Sequence, residues 1–248
     1  MTQPDPQPAD HRPRDPVSAL VNSAAVPLNR EWRRQTETET RWPASLAIAV
    51  AIVLQFVLAL EYTIRPRWGI PALEAVLLVA LLVKDPAKQD RFSQPLRNAS
   101  LVLLGLLMVT NGWSALKLIR SLLTGQGGNG TMLLGTGAAI WATNTIAFGL
   151  FYWEFDRGGP QARTTKRPEQ MPPDFLFPQM DLPLDLARPG WVPTFVDYLY
   201  VSFTNATAFS PTDVLPLTPR AKLTMMVQSG LSLVIVGLVV ARAVNILK

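Results

Sequence analysis

The chain has no cysteine and a single histidine in 248 residues, and only 17% of it is charged. Without cysteine there is no disulfide framework, no thiolate metal site and no thiol nucleophile. His11 stands alone in a proline-rich stretch, so neither a catalytic triad nor a zinc site can be built around it. No paired carboxylates, histidine-rich helix or nucleophile–base set appears elsewhere, so the chain is not expected to be an enzyme and no cofactor is expected. Charge this sparse beside 48% hydrophobic residues is unusual for a soluble protein of this length.

What is present is a series of long apolar runs separated by short segments that hold most of the Lys and Arg. The runs extend from Pro43 to Tyr62, Ile70 to Val83, Ala99 to Leu123, Met132 to Trp153 and Leu223 to Val244. At 1.5 Å per residue, about 20 residues cross a hydrocarbon layer of roughly 30 Å. The second run is shorter and carries Glu74, an intramembrane polar candidate whose carboxylate must there be protonated, paired or facing water; its place a turn from Trp68 favours the interface. Trp42, Trp68, Trp153 and Trp191 fall at segment edges, where an amphipathic ring is stabilised at headgroup depth. The fold class expected is all-α: a polytopic transmembrane helical bundle with five spans plus a short re-entrant or sixth membrane helix, multi-pass in the cell membrane. Its formal charge of +5 flanks the apolar segments instead of forming a stripe, which argues for membrane topology and against nucleic acid.

Four regions follow. Residues 1–42 read as a disordered proline-rich tail, since Pro4, Pro6, Pro8, Pro13, Pro16 and Pro27 among mixed charges leave too little apolar area to fold. The tail is not a cleavable signal peptide, because the first apolar run starts too late and is too long. Residues 43–153 hold four membrane segments, the third and fourth joined as a hairpin by Gly125-Gln-Gly-Gly-Asn-Gly130. That glycine cluster lacks the Lys-Ser/Thr ending of a phosphate-binding loop, so no nucleotide site is expected. Residues 154–194 form a proline-rich extramembrane connector whose Phe175, Leu176, Phe177 and Met180 either pack back on the bundle or lie in the interface. Residues 195–248 comprise a short apolar helix, a turn and the final transmembrane helix.

Polar residues inside the apolar segments are the other candidates. Asn111, Asn144 and Gln228, with Ser229 and Ser232, need partners at membrane depth. They serve either interhelical hydrogen bonding or a polar pathway.

The last region carries a resemblance. Phe195-Val-Asp-Tyr-Leu-Tyr-Val-Ser-Phe-Thr-Asn-Ala-Thr-Ala-Phe209, then Ser210-Pro-Thr-Asp213, then Pro216-Leu-Thr-Pro-Arg220 and a long apolar helix resemble the pore helix, filter and inner helix of potassium-channel-type cation channels. Laid on that pattern, the pore loop is Thr207, Ala208, Phe209, Ser210, Pro211, Thr212 and Asp213. The resemblance implies a homo-oligomer, a tetramer by analogy, and small inorganic ions as partners beside the lipid bilayer. Asp213 then sits at the mouth of the filter, where it concentrates cations; as a residue following a turn it equally suits a cap. Ser210, Pro211 and Thr212 stand where the filter glycines would be, and proline holds φ near about −65°, so a stack of carbonyl rings selecting potassium is not expected. The chain also looks like an uncharacterised family of predicted bacterial membrane proteins, through Phe151-Tyr-Trp-Glu-Phe-Asp-Arg-Gly-Gly159 and the Asp-Tyr-Leu-Tyr-x-Ser-Phe-Thr run from Asp197.

Two implied functions follow: a channel-like protein passing small ions through a degenerate pore loop, or a non-conducting scaffold that recruits partners. The two topology arguments disagree. Arg and Lys before the first run and after the second and fourth put the N-terminus and the connector in the cytoplasm, whereas the channel pattern needs the connector outside.

Overall fold

A computed structural model describes residues 42–58, 62–64, 66, 68–84, 94–125, 130–165, 171–181, 191–207 and 213–246. The tail expected over 1–42 lies outside them except for Trp42, and so do Ala208, Phe209, Ser210, Pro211 and Thr212 of the turn.

The apolar runs become helices: α1 (Trp42–Val57), α2 (Gly69–Lys84), α3 (Gln94–Leu123) and α4 (Gly130–Phe155). A 3-10 turn (Asp156–Gly158) leads into α5 (Pro160–Thr165), β1 (Phe175–Leu176) and α6 (Pro178–Asp181). Then come α7 (Phe195–Thr207), β2 (Leu215–Pro216) and α8 (Pro219–Ile246). Among the described residues three helices, α3, α4 and α8, are long and apolar enough to cross a membrane, which makes this a helical membrane protein. The first run is shorter as a helix than as apolar sequence, and the second is short in both. α1 and α2 have 16 residues each, about 24 Å, and α1 ends at Val57 where the apolar run continued to Tyr62.

Local chemistry sets the ends of the later helices. Thr194 caps α7: its backbone N–H and hydroxyl donate to the Asp197 carboxylate at 2.7 and 2.8 Å, so one acid three residues on closes the first turn. Thr218 caps α8 by accepting the Ala221 N–H at 3.3 Å, and Pro219 follows at the first helical position, where a missing N–H costs nothing. α4 stops where Arg157 takes a positive φ of 53° and Gly159 one of 91°. A Cβ on Gly159 would lie 2.8 Å from the Glu154 carbonyl oxygen, so glycine is needed at that turn.

α4 is the central element, with 67% of its apolar window buried against 22% for α8. The helices α1, α3, α7 and α8 all pack on it. α8 runs antiparallel to α4: Gln228 meets Tyr152, Ser232 meets Asn144, Val239 lies over Gly137, and Arg242 reaches the Gly125 carbonyl. Exposed Leu223, Met226, Val227, Leu233, Val236 and Val240 give α8 an apolar outer face, as a lipid-facing helix requires.

α7 also descends along α4 from the connector end. The Phe195 ring packs on Trp153 at 5.9 Å, Leu199 lies against Gly149, Ser202 donates to the Thr145 carbonyl, and the Ala206 carbonyl accepts from Trp141. From Trp153 to Trp141 is about 18 Å along the helix axis. The chain then returns, because Leu215 and Pro216 pair with Leu176 and Phe175 at the end where α7 began. The described parts of the segment from Phe195 to Pro216 thus make a hairpin: α7 reaches partway down the bundle, and by Leu215 the chain is back at the connector end.

The tryptophans divide. Trp42 and Trp68 are well exposed, in keeping with interfacial anchors, whereas Trp153 is buried against Phe195. Phe175, Phe177 and Met180 of the connector are buried; Phe175 packs on Tyr152 (5.1 Å), and Phe177 on Tyr198 (5.2 Å) and Trp191 (5.8 Å). Such pairs add about 1 kcal/mol each beyond their area. The described part of the connector is therefore folded onto the bundle, and its two-residue strand pairing with Leu215–Pro216 was not legible in the sequence.

Candidate functional site

Two polar networks meet on α4, one inside the bundle and one at its connector end.

The inner network joins α4, α7 and α8. The Gln228 amide donates to the Ser202 hydroxyl at 2.6 Å and to the Ser202 carbonyl at 3.0 Å. Its carbonyl oxygen accepts from Tyr152 at 2.6 Å and from Asn205 at 2.8 Å. Asn205 also donates to the Met225 carbonyl at 3.0 Å and accepts from Ser229 at 2.8 Å. Gln228, Ser202 and Tyr152 are all at most 1% exposed. Every donor and acceptor of the Gln228 amide is therefore used, the condition under which a buried polar group adds stability instead of costing it. Two turns deeper, Asn144 donates to Ser232 at 3.1 Å. Thr207, the first residue of the expected pore loop, donates to the Thr204 carbonyl of its own helix at 2.9 Å. Asp213, the last, is exposed.

The outer network is a clamp of two buried aspartates. Asp156 accepts from the Tyr198 hydroxyl at 2.5 Å, the Asp174 N–H at 2.7 Å and the Arg157 guanidinium at 3.4 Å. Burial, and then the Asp156 carboxylate beside it, push the Tyr198 hydroxyl well above the usual tyrosine range, so it remains a donor. Arg163 donates to the Trp153 and Asp156 carbonyls at 2.9 Å each, closing the C-terminus of α4 where a cation also meets the favourable end of the helix dipole. Asp174 takes a two-pronged bond from Arg220 at 2.8 and 2.9 Å and a hydroxyl bond from Thr218 at 2.6 Å. The Arg220 guanidinium also stacks 4.6 Å from the Phe155 ring centre. The end of α4, the connector, α7 and the start of α8 are thereby fastened at one point.

Sequence reading singled out Asn144 and Gln228 but not Asp156, Asp174, Arg163, Tyr198, Tyr152 or Asn205. The run Phe151 to Gly159, noted only for its resemblance, contains three of the groups that matter: Tyr152, Asp156 and Gly159. The signal available was an aspartate one residue beyond an apolar helix and before two glycines, in a place with no surface role to fill.

The remaining candidates lie elsewhere. Asn111 is buried on α3, and its carbonyl oxygen has no partner. Glu74, expected at the interface, is instead fully buried between helices, and accepts from the Gln55 amide at 2.6 Å. The packing of α2 against α1 and α3 encloses it, which a count of residues from Trp68 could not reveal. Among the described residues no group of three or more His, Cys, Asp or Glu side chains is placed to hold a metal. No family model, curated protein or solved structure matches the chain.

Proposed function

We propose that the chain is a non-conducting, multi-pass membrane scaffold that presents its folded connector to a partner at one face of the bilayer. One observation carries this reading: among the described residues, the inward-facing polar side chains of α7 and α8 are turned onto one another within a single chain. Ser202, Asn205, Gln228 and Ser229 bond to each other or to α4, and the outer faces of α7 and α8 carry Val196, Tyr200, Phe203, Met226 and Val227. A pore shared between copies would need polar groups facing the common axis. The likeness to predicted bacterial membrane proteins agrees with a structural role, because the residues that carry it, Tyr152, Asp156, Gly159 and Tyr198, hold the connector in place.

A second reading, a degenerate pore loop passing small ions, is favoured by the hairpin itself. It enters and leaves on the connector end and turns partway down, as a re-entrant element does. Positive-inside charge puts that end in the cytoplasm, together with the starts of α1, α3 and α8.

Reconstitution separates the two. Under the scaffold reading, liposomes containing the full chain show the same ion flux as empty vesicles, and Asp213→Asn changes nothing. Flux well above the empty control that falls in Asp213→Asn, from an oligomer in detergent, would replace it with the pore-loop reading.

A further inference from the structure

We propose that Glu74 and Gln55 form a proton-binding site within the bundle, with Glu74 carried as a neutral carboxylic acid bonded to the Gln55 amide. The inference is independent of whether the hairpin conducts.

The geometry is specific. Glu74 is 0% and Gln55 3% exposed. Their contact is a 2.6 Å bond from the Gln55 amide nitrogen to one carboxyl oxygen. The other Glu74 oxygen and the Gln55 carbonyl oxygen are both buried without a partner. An ionised carboxylate would leave two unsatisfied acceptors and an uncompensated charge in an apolar setting, each of which is costly. One proton changes both at once: the free Glu74 oxygen becomes a donor, and the unpartnered Gln55 oxygen is an acceptor able to take it. Acid and amide would then share two hydrogen bonds with no charge left over.

Among the described residues no cation supplies the alternative. α1 carries no charged residue from Trp42 to Val57. On α3, Lys117 donates to the Thr63 carbonyl at 3.5 Å and lies 5.4 Å from the Trp113 ring centre. Arg97 and Arg120 stand near the two ends of that helix, and Lys84 is at the far end of α2. Thr110, Asn111 and Ser114, on the part of α3 between those cations, are uncharged. Glu61, Arg65 and Arg67 of the α1–α2 link lie outside the described residues.

Space for water lies on the Gln55 side of the pair, and Glu74 itself does not line it. Gln55, Thr63, Ile64, Pro71 and Thr110 line a cavity of about 10 Å³ beneath the α1–α2 link, the space of roughly one water. It lies at the end of the bundle remote from the connector, so exchange would occur with that side. Uptake is simple binding: a proton from water joins the carboxylate, and release returns it to water, with no oxidant or co-reactant.

The test uses the full cysteine-free chain in detergent and in liposomes. Dicyclohexylcarbodiimide adds to a protonated carboxyl in apolar surroundings, the acid O–H adding across its C=N bond before rearrangement to a stable N-acylurea. The expected result is a single adduct on the Glu74 peptide at neutral pH, declining as pH rises, absent in Glu74→Gln and unaffected by sodium. An infrared carbonyl band of a protonated carboxyl, present in the native chain and missing in Glu74→Gln, covers the case in which the reagent cannot enter. Because glutamine keeps both hydrogen bonds, Glu74→Gln should fold normally. The proposal is overturned if neither adduct nor band is found, or if sodium at constant pH suppresses both, since the site would then hold a metal cation.

Discussion

At the scale of single residues, the clamp at the connector end turns on two buried aspartates, Asp156 and Asp174. Tyr198→Phe removes one donor from a carboxylate that is otherwise fully enclosed, and should cost about 1–3 kcal/mol in unfolding measured in detergent. Asp156→Ala should cost more, about 3–5 kcal/mol, because it strips the acceptor from Tyr198, Arg157 and the Asp174 amide together. Arg220 behaves differently. Its side chain is 57% exposed although Asp174 is buried, so water already competes for the pair and Arg220→Ala should cost only about 1 kcal/mol. Should Arg220→Ala prove as damaging as Asp156→Ala in the same melts, the clamp is organised around Asp174 instead.

At the scale of elements, close contact between helices depends on two glycines of α4. A Cβ at Gly149 would lie 3.1 Å from the Leu199 backbone, and one at Gly137 would lie 2.7 Å from the Val239 side chain. The first obstacle is backbone and cannot rotate away. Gly149→Val should push α7 off α4 and cost about 1–3 kcal/mol, whereas Gly135→Ala meets nothing within 4 Å and should be neutral or slightly stabilising through its helix propensity. Thermal unfolding of the two variants side by side checks the contrast. The caps of α7 and α8 belong here too. Thr194 with Asp197, and Thr218 before Pro219, are ordinary helix-start signals that define where α7 and α8 begin, although the apolar runs alone gave only approximate limits.

At the scale of the whole molecule, the return of the hairpin to the connector end decides how the last third of the chain is arranged. Leu176 and Leu215 face each other across the strand pair. In a chain without native cysteine, Leu176→Cys with Leu215→Cys should form one intramolecular disulfide on mild oxidation, seen as a mobility shift that reductant reverses. Absence of that bond, or a bond only between copies, would mean the segment after α7 leaves the bundle by another way.

The helical membrane character, the position of the long apolar helices and the proline-rich break between them were legible in the sequence, because chain length against bilayer thickness and the side-chain limits of proline are local properties. The partners of Asn144 and Gln228 were expected in kind but not by name, since a residue's depth in an apolar run says that it must bond without saying to what. The aspartate clamp, the burial of Glu74 against Gln55 and the folding of the connector onto the bundle were decided only in three dimensions. Each brings together residues separated by 18 to 46 positions, and nothing in the local pattern of either partner specifies which distant surface will enclose it.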